Sequence, residues 1–316
     1  MLPPGVSRIA VPTGLPVGDV NAYLLKRDPV TLVDPGPLTE PAWEALKAGL
    51  SEAGVGRFEV AQILVTHGHV DHFGLAARLR KEAGAKVLAP AGDLDMIADF
   101  HATYALRRER FQAVLEENGA PGAMRAQLAA FFARLDALGE PVPVDVPLLD
   151  GDTFLAGGEL FTTLHVPGHS KGASAFLGSR GLLLTGDTAI RGITPIAAFG
   201  GRDGVSVGLE DQLRSVDRLS TLPVREVLPG HRDRLPDLRL YAWEIRAQFD
   251  SRQRSVLAAL DHERTAWEVA SSLFGELGPA EAFLGITEAL GHLEVLESRG
   301  AVRVADADGV RRFRRA

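Results

Sequence analysis

The stretch THGHVDHFG, residues 66–74, carries His67, His69, Asp71 and His72 within six positions. It closes an apolar, β-rich run, VAQILVTH at 60–67, that reads as a short buried strand. His67 and His69 lie two apart at the end of that strand, so their side chains leave on the same side. Asp71 and His72 follow where the chain turns into a helix, and they aim at a second point nearby. So short a loop does not readily close four groups around one metal ion. It can divide them between two adjacent ions.

Further candidates stand where later apolar runs end. PGHS supplies His169, TGD supplies Asp187 and LPGH supplies His231, each with a glycine that permits a tight turn. Strand ends are where layered α/β folds build their sites. Seven nitrogen and oxygen donors suit two zinc ions, with manganese or iron as alternatives. The chain has no cysteine, which excludes thiolate ligands, disulfides and a Cys nucleophile together.

The 316 residues, 46% of them apolar, suffice for one large or two ordinary domains. The formal net charge of −7 does not suggest a nucleic-acid binder. The apolar blocks GLLL (181–184), ITPIAAF (193–199) and the stretch around Leu24 fall short of the roughly 20 residues of a spanning helix. The start, MLPPGVSRIAVPTG, shows no basic region followed by an apolar core. A cytoplasmic protein with no membrane partner is expected.

Strand signals at VNAYLL and VTLV, a helix over 41–54, the strand at 60–67, a helix over 73–83 and a strand at 85–90 give an α/β layered rhythm. Residues 93–139 interrupt it with two inserted helices. Strands return from 147 to 190, followed by a helix at 208–220 and a last strand ending at His231. This layered unit is expected to fill residues 1–240. Residues 241–316 read as helices followed by a hairpin around Asp308-Gly309, a small winged-helix-like domain. The arginines at 311, 312, 314 and 315 read as a solvated terminus.

The ordered pattern T-H-x-H-x-D-H, PGH, GD and PGH, over residues 7–235, resembles the metallo-β-lactamase-fold hydrolase superfamily. The resemblance implies a four-layer αββα sandwich and a binuclear metal-dependent hydrolase with a bridging hydroxide. It implies that His67, His69 and His169 hold one metal. Asp71, His72 and His231 then hold the second, Asp187 bridges them, and Asp71 also orients or deprotonates the water. Asp34, after VTLV, matches a position behind the ligands. The tail resembles the subgroup related to the endoribonuclease lactamase-like protein 2. The chain departs from true zinc β-lactamases in lacking their cysteine ligand. It also lacks the large domain that one nuclease branch inserts between the bridging Asp and the last His.

Among other residues, His165 alternates along FTTLHVPGH and reads as a core histidine or a support for the ligands. Phe100, His101, Tyr104 and Lys171 are candidates for the substrate pocket. A small ester, thioester or lactone is the first choice of substrate. An endoribonuclease or phosphodiesterase is the alternative, and a DNA-binding regulator acting through the tail is a third. A mononuclear iron oxygenase is disfavoured by the full second ligand set. Acidic residues outnumber basic ones in 93–145 and in 250–316, and the candidate recognition helix, 286–299, carries Glu288, Glu294 and Glu297 against Arg299 alone. Phosphate binding needs basic side chains, so RNA is a weaker expectation than a small molecule and DNA weaker still. A homo-oligomer is compatible with a tail that packs or dimerises.

Overall fold

The computed structural model describes residues 2–192, 208–276 and 278–316; ITPIAAF at 193–199 lies outside them. Val6–Val11 (β1), Val20–Leu25 (β2), Thr31–Val33 (β3), Gln62–Leu64 (β4), Lys86–Pro90 (β5) and Val146–Leu148 (β6) form one sheet in that order. It is antiparallel from β1 to β3 and parallel from β3 to β6. Thr153–Ala156 (β7), Glu159–His165 (β8), Ser174–Gly178 (β9), Leu182–Gly186 (β10) and Glu226–Pro229 (β11) form the second, ordered β11-β10-β9-β8-β7. Only its β10–β11 pair is parallel.

Alternation along the strands creates the layers. Tyr23, Leu25, Val33, Leu64 and Leu88 meet Phe161, Phe176, Leu184 and Leu228 between the sheets. Leu24, Leu32, Ile63 and Val87 point the other way, under helices Glu40–Glu52 (α1), Val70–Phe73 (α2) and Ala76–Ala83 (α3). This explains why VNAYLL is buried at every position: a strand covered on both faces has no polar side. The helix expected over 73–83 is split at Gly74-Leu75, where the Leu75 N–H donates to the Gly36 carbonyl at 2.8 Å instead of within the helix.

The insertion comprises Leu94–Ala98 (α4), Phe100–Glu117 (α5) and Gly122–Leu135 (α6). Leu209–Ser220 (α7) and Leu238–Ala259 (α8) cover the second sheet, with Leu213, Val216, Tyr241 and Ile245 over Leu164, Leu183 and Val227. The outcome is the αββα sandwich. Tyr23 hydroxyl donates to the Pro229 carbonyl at 2.8 Å, and the Asn21 N–H donates to the Gly230 carbonyl at 2.6 Å. These bonds tie the two sheets together and hold His231 beside Val20.

Ala266–Phe274 (α9), Pro279–Ser298 (α10) and the hairpin Val302–Ala307 (β12) with Val310–Arg315 (β13) complete the chain. Asp308 and Gly309 both have positive φ, as a two-residue hairpin turn requires. This tail is packed against the insertion. Phe111, Leu115 and Leu128 share a core with Val256, Ile286, Leu290 and Phe313, and Phe111 and Phe132 meet Phe283 edge-on. The Trp267 N–H also donates to the Asn118 carbonyl at 3.1 Å.

One expectation changes accordingly. The basic end is anchored: Phe313 is fully buried, its backbone exchanges hydrogen bonds with Arg264, and Arg315 Nε donates to the Leu257 carbonyl. An apolar anchor inside the run of arginines overrides the fraying expected of a charged terminus. Of the candidate recognition helix, 286–299, residues 286–297 are buried or half-buried, and Ser298 and Arg299 are exposed. Among the described residues no helix is long and apolar enough to cross a membrane.

His292 faces α8 from α10, and Gln253 Nε2 of α8 donates to its Nδ1 at 2.9 Å. Burial, aided by Arg252, lowers its pKa to about 3. Between that value and the unfolded value near 6.5 the unfolded chain binds a proton that the folded chain refuses, so stability falls as pH falls. At pH 5 the loss is about 2 kcal/mol. His292→Gln should flatten this part of the curve in urea unfolding at pH 7, 6 and 5; a slope equal to that of the parent would contradict the assignment.

Candidate metal centre

Every residue of the sequence-derived cluster arrives at one end of the sandwich. His67 and His69 follow β4, and Asp71 and His72 sit on α2. His169 follows β8, Asp187 follows β10 and His231 follows β11. His67, Asp71, His72, Asp187 and His231 are buried, while His69 and His169 are partly open to solvent. Three sets of donor atoms each fall within 4.8 Å of one another: His67/His69/His169, His67/His72/Asp187 and Asp71/His72/His231.

Hydrogen bonds decide which ring nitrogens face inward. Asp34 accepts from the Thr66 N–H at 2.8 Å and from Thr66 Oγ1 at 2.7 Å. That bond uses the single Thr66 hydroxyl proton, so Thr66 Oγ1 must accept from His67 Nδ1, 3.1 Å away. The Nε2 of His67 is left as a bare lone pair. His72 Nδ1 donates to Asp34 Oδ2 at 2.9 Å, and His231 Nδ1 donates to the Asp19 carbonyl at 2.8 Å. Their Nε2 atoms face inward as well. His69 Nδ1 stands 3.0 Å from His67 Nε2 and 2.8 Å from His169 Nε2.

The electrostatics of the metal-free chain divide the cluster in two. Burial and the neighbouring imidazoles push the pKa of His67 well down, and His69 likewise, so their lone pairs are available. Around Asp187 the balance reverses. Burial alone would protonate the acids, yet His72 and His231 hold Asp71 at about 2 and Asp187 well below the carboxylate range. Burial opposes charge on His72 and His231 too, but the carboxylates raise both. Asp187 lies 3.4 Å from His72 Nε2, 3.5 Å from His231 Nε2 and 3.6 Å from His169 Nε2. Nevertheless His72 Nε2, His231 Nε2 and Asp187 Oδ1 are buried with no hydrogen-bond partner among the described residues. Buried polar atoms left this way are costly, and ionised acids beside inward lone pairs are a donor set that fits cations.

The remaining predicted positions are placed as follows. Asp34 lies directly behind His67 and His72. His165 Nε2 donates to the Lys171 carbonyl at 2.9 Å and so braces the loop that carries His169. Phe100 has no exposed surface and packs against Phe73 and Tyr104; it supports the wall without forming its face. Tyr104 is buried beside Val70 and Asp71, and burial pushes its hydroxyl pKa up. His101 and Lys171 are exposed. Sequence reading missed Thr66, although it stands inside the opening motif, because its role depends on a hydroxyl proton. It also missed Arg107, an exposed cation of α5 whose charge depresses His69.

A layered αββα sandwich with a buried His/Asp donor cluster at its strand ends defines a scaffold for metal-dependent hydrolysis. The family model of the Metallo-beta-lactamase superfamily matches residues 15–231, and that of the Metallo-beta-lactamase-like C-terminal domain matches 254–316. The chain belongs to the metallo-β-lactamase superfamily and is a metal-binding hydrolase. It is 30% identical over 314 residues to a probable metallo-hydrolase of Bacillus subtilis, covering 94% of this chain and 93% of that one. It is 28% identical over 233 residues to a hydroxyacylglutathione hydrolase of Ectopseudomonas mendocina, covering 71% of this chain and 66% of that one. A crystal structure of a metallo-β-lactamase family protein from Thermus thermophilus superposes over 100% of both chains with a TM-score of 0.86 and 31% identity.

Asp34 has positive φ, a conformation Asn tolerates better than Ala. Asp34→Ala removes a buried acceptor of three hydrogen bonds and should destabilise the metal-free chain by about 3 kcal/mol. Asp34→Asn should lose distinctly less. Chemical unfolding in chelator measures both, and equal losses would show that the carboxylate's shape and its backbone conformation contribute nothing.

Proposed function

We propose that this hydrolase holds two zinc ions and cleaves small esters, thioesters or lactones. The observation that carries the two-metal reading is the meeting of two ligand sets at one carboxylate: Asp187 lies within 3.6 Å of His72, His169 and His231. On this reading His67, His69 and His169 hold one ion. Asp71, His72 and His231 hold the other, and Asp187 joins them. When bound, the ions polarise the electrophilic oxygen and make water a competent nucleophile near neutral pH.

The chain's own groups do the rest. Asp34, Thr66 and the Asp19 carbonyl hold protons on the outward nitrogens of His72, His67 and His231, which keeps the inward nitrogens as donors. Asp71 is a weak base at a pKa of about 2, and a cation beside it lowers its basicity further. Its role is therefore to orient water through its carboxylate more than to carry a proton. Tyr104, buried beside Val70 and Asp71, covers the cluster on the α5 side, with Phe100 packed behind it.

The acyl reading draws on the similarity to a hydroxyacylglutathione hydrolase, whose named substrate is an acylated thiol. It draws also on the tail. A candidate recognition helix whose residues 286–297 are all buried or half-buried offers a groove little surface, which disfavours the DNA-binding reading. The acidic balance of 250–316 disfavours RNA. Residues 241–316 are then a packing domain for the insertion, and a small molecule is the partner.

Elemental analysis of gently purified protein should give about two metal ions per chain, the number a bridged site requires. Asp187→Ala should lose both, and loss of one alone would contradict the bridge. In a panel of thioesters, lactones, aryl esters, single-stranded RNA and bis-aryl phosphodiesters, kcat/KM should be highest for an acyl substrate. RNA as the best substrate, with its cleavage abolished in His67→Ala, would replace the acyl reading with the nuclease one.

A further inference from the structure

Asp93 is fully buried, and no cation neutralises it among the ion pairs of the described residues. Its carboxylate is satisfied by three donors instead. Oδ2 accepts from the Gly68 N–H at 2.8 Å and from Ser170 Oγ at 2.5 Å, and Oδ1 accepts from the Gly172 N–H at 2.6 Å. Gly68 stands between His67 and His69. Ser170 directly follows His169, and Gly172 closes the same loop. One carboxylate, carried by the turn after β5, thus ties together the two loops that supply His67, His69 and His169. Those loops belong to different sheets.

The approach needs space that side chains would fill. A Cβ at Gly172 would lie 2.3 Å from Asp93 N, one at Gly92 would lie 2.7 Å from Gly172 Cα, and one at Gly68 would lie 2.5 Å from Met96 Cβ. All three are below any normal contact, so three segments converge on Asp93 at positions without side chains.

The ring bonds explain why such a tie matters. His67, His72 and His231 each have an outward nitrogen fixed by Thr66, Asp34 or Asp19. His69 makes hydrogen-bond-length contacts only through Nδ1, to the other imidazoles, among the described residues. Its direction is therefore set by its backbone, and that backbone is held at Gly68 by Asp93.

We propose that Asp93 is a positioning residue for the His67/His69/His169 metal site, acting through the loops and not by touching metal or substrate. The proposal rests on the two-metal reading. It requires an unequal effect: loss of Asp93 weakens the three-histidine site and spares the Asp71/His72/His231 site, which Asp34 organises.

Zinc titration against a chromophoric chelator tests this on the full chain. The parent should show two binding steps. Asp93→Ala should weaken one step by about 10- to 100-fold, the range for groups that orient metal ligands, and leave the other within about threefold. Asp93→Asn keeps one acceptor oxygen and should recover part of the loss. Ser170→Ala removes one of the three bonds by deleting a single buried hydroxyl of the same loop and should weaken the same step less; it keeps the proposal testable if Asp93→Ala does not fold. Each variant is also melted in chelator. Equal weakening of both steps, or no weakening in a folded Asp93→Ala or Ser170→Ala, overturns the positioning role. A parent that binds fewer than two zinc ions overturns the two-metal reading instead, and the two failures are told apart by the parent's titration alone.

Discussion

Carboxylates and imidazoles packed at the ends of buried strands are stable only if every inward atom is bonded or surrendered to a cation. That constraint governs this molecule. Asp71 and Asp187 are buried yet held ionised, and His72 and His231 are buried yet drawn toward the charged state by them. The carboxylates favour charge on those imidazoles, yet His72 Nε2, Asp187 Oδ1 and His231 Nε2 have no hydrogen-bond partner among the described residues. The same arrangement that is costly on its own favours a bound cation, because binding to the folded state alone adds its free energy to folding.

The sandwich exists, in this light, to deliver unlike groups to one point. β4, β8, β10 and β11 end at the same edge, and the two sheets are pinned there by Asn21 and Tyr23 on the β11 end. Outward nitrogens are fixed by a carboxylate, a hydroxyl and a backbone carbonyl, three different chemical means of choosing one tautomer. Rigidity behind the ligands costs little at the site itself, since these groups bond the ring nitrogens that face away from the cluster.

How much of this the sequence displays depends on where the signal lies. His67, His69, Asp71 and His72 are legible because they are contiguous, and His169, Asp187 and His231 because each follows an apolar run and sits beside a glycine. Asp34 is legible as the end of VTLV. Asp93 is not, because its partners are two backbone N–H groups and a serine, none of which leaves a pattern around it. The destination of the insertion is also hidden. Periodicity identifies Phe111, Leu115, Leu128 and Phe132 as one apolar face but says nothing of what covers it, and the cover is the tail. Net charge misleads in a similar way: the insertion is acidic overall, yet the charge it brings to bear on His69 is that of Arg107.

α5 joins these two stories. Its first turns, with Phe100 and Tyr104, belong to the core beneath the metal cluster, and Phe111 and Leu115 belong to the core shared with the tail. A helix of 18 residues is about 27 Å long, so a single rigid element spans both. The tail therefore does more than shield an apolar face. By gripping the far half of α5 through Phe283, and the turn after it through the Trp267–Asn118 bond, it fixes the angle at which the near half lies over Val70 and Asp71. Side chains on that half, Arg107 among them, inherit their positions from contacts made at the other end of the helix. The half of α5 that lies by Val70 and Asp71 is thus held in place partly by residues that never approach the cluster, which gives a physical reason for the sandwich and the tail to be packed together.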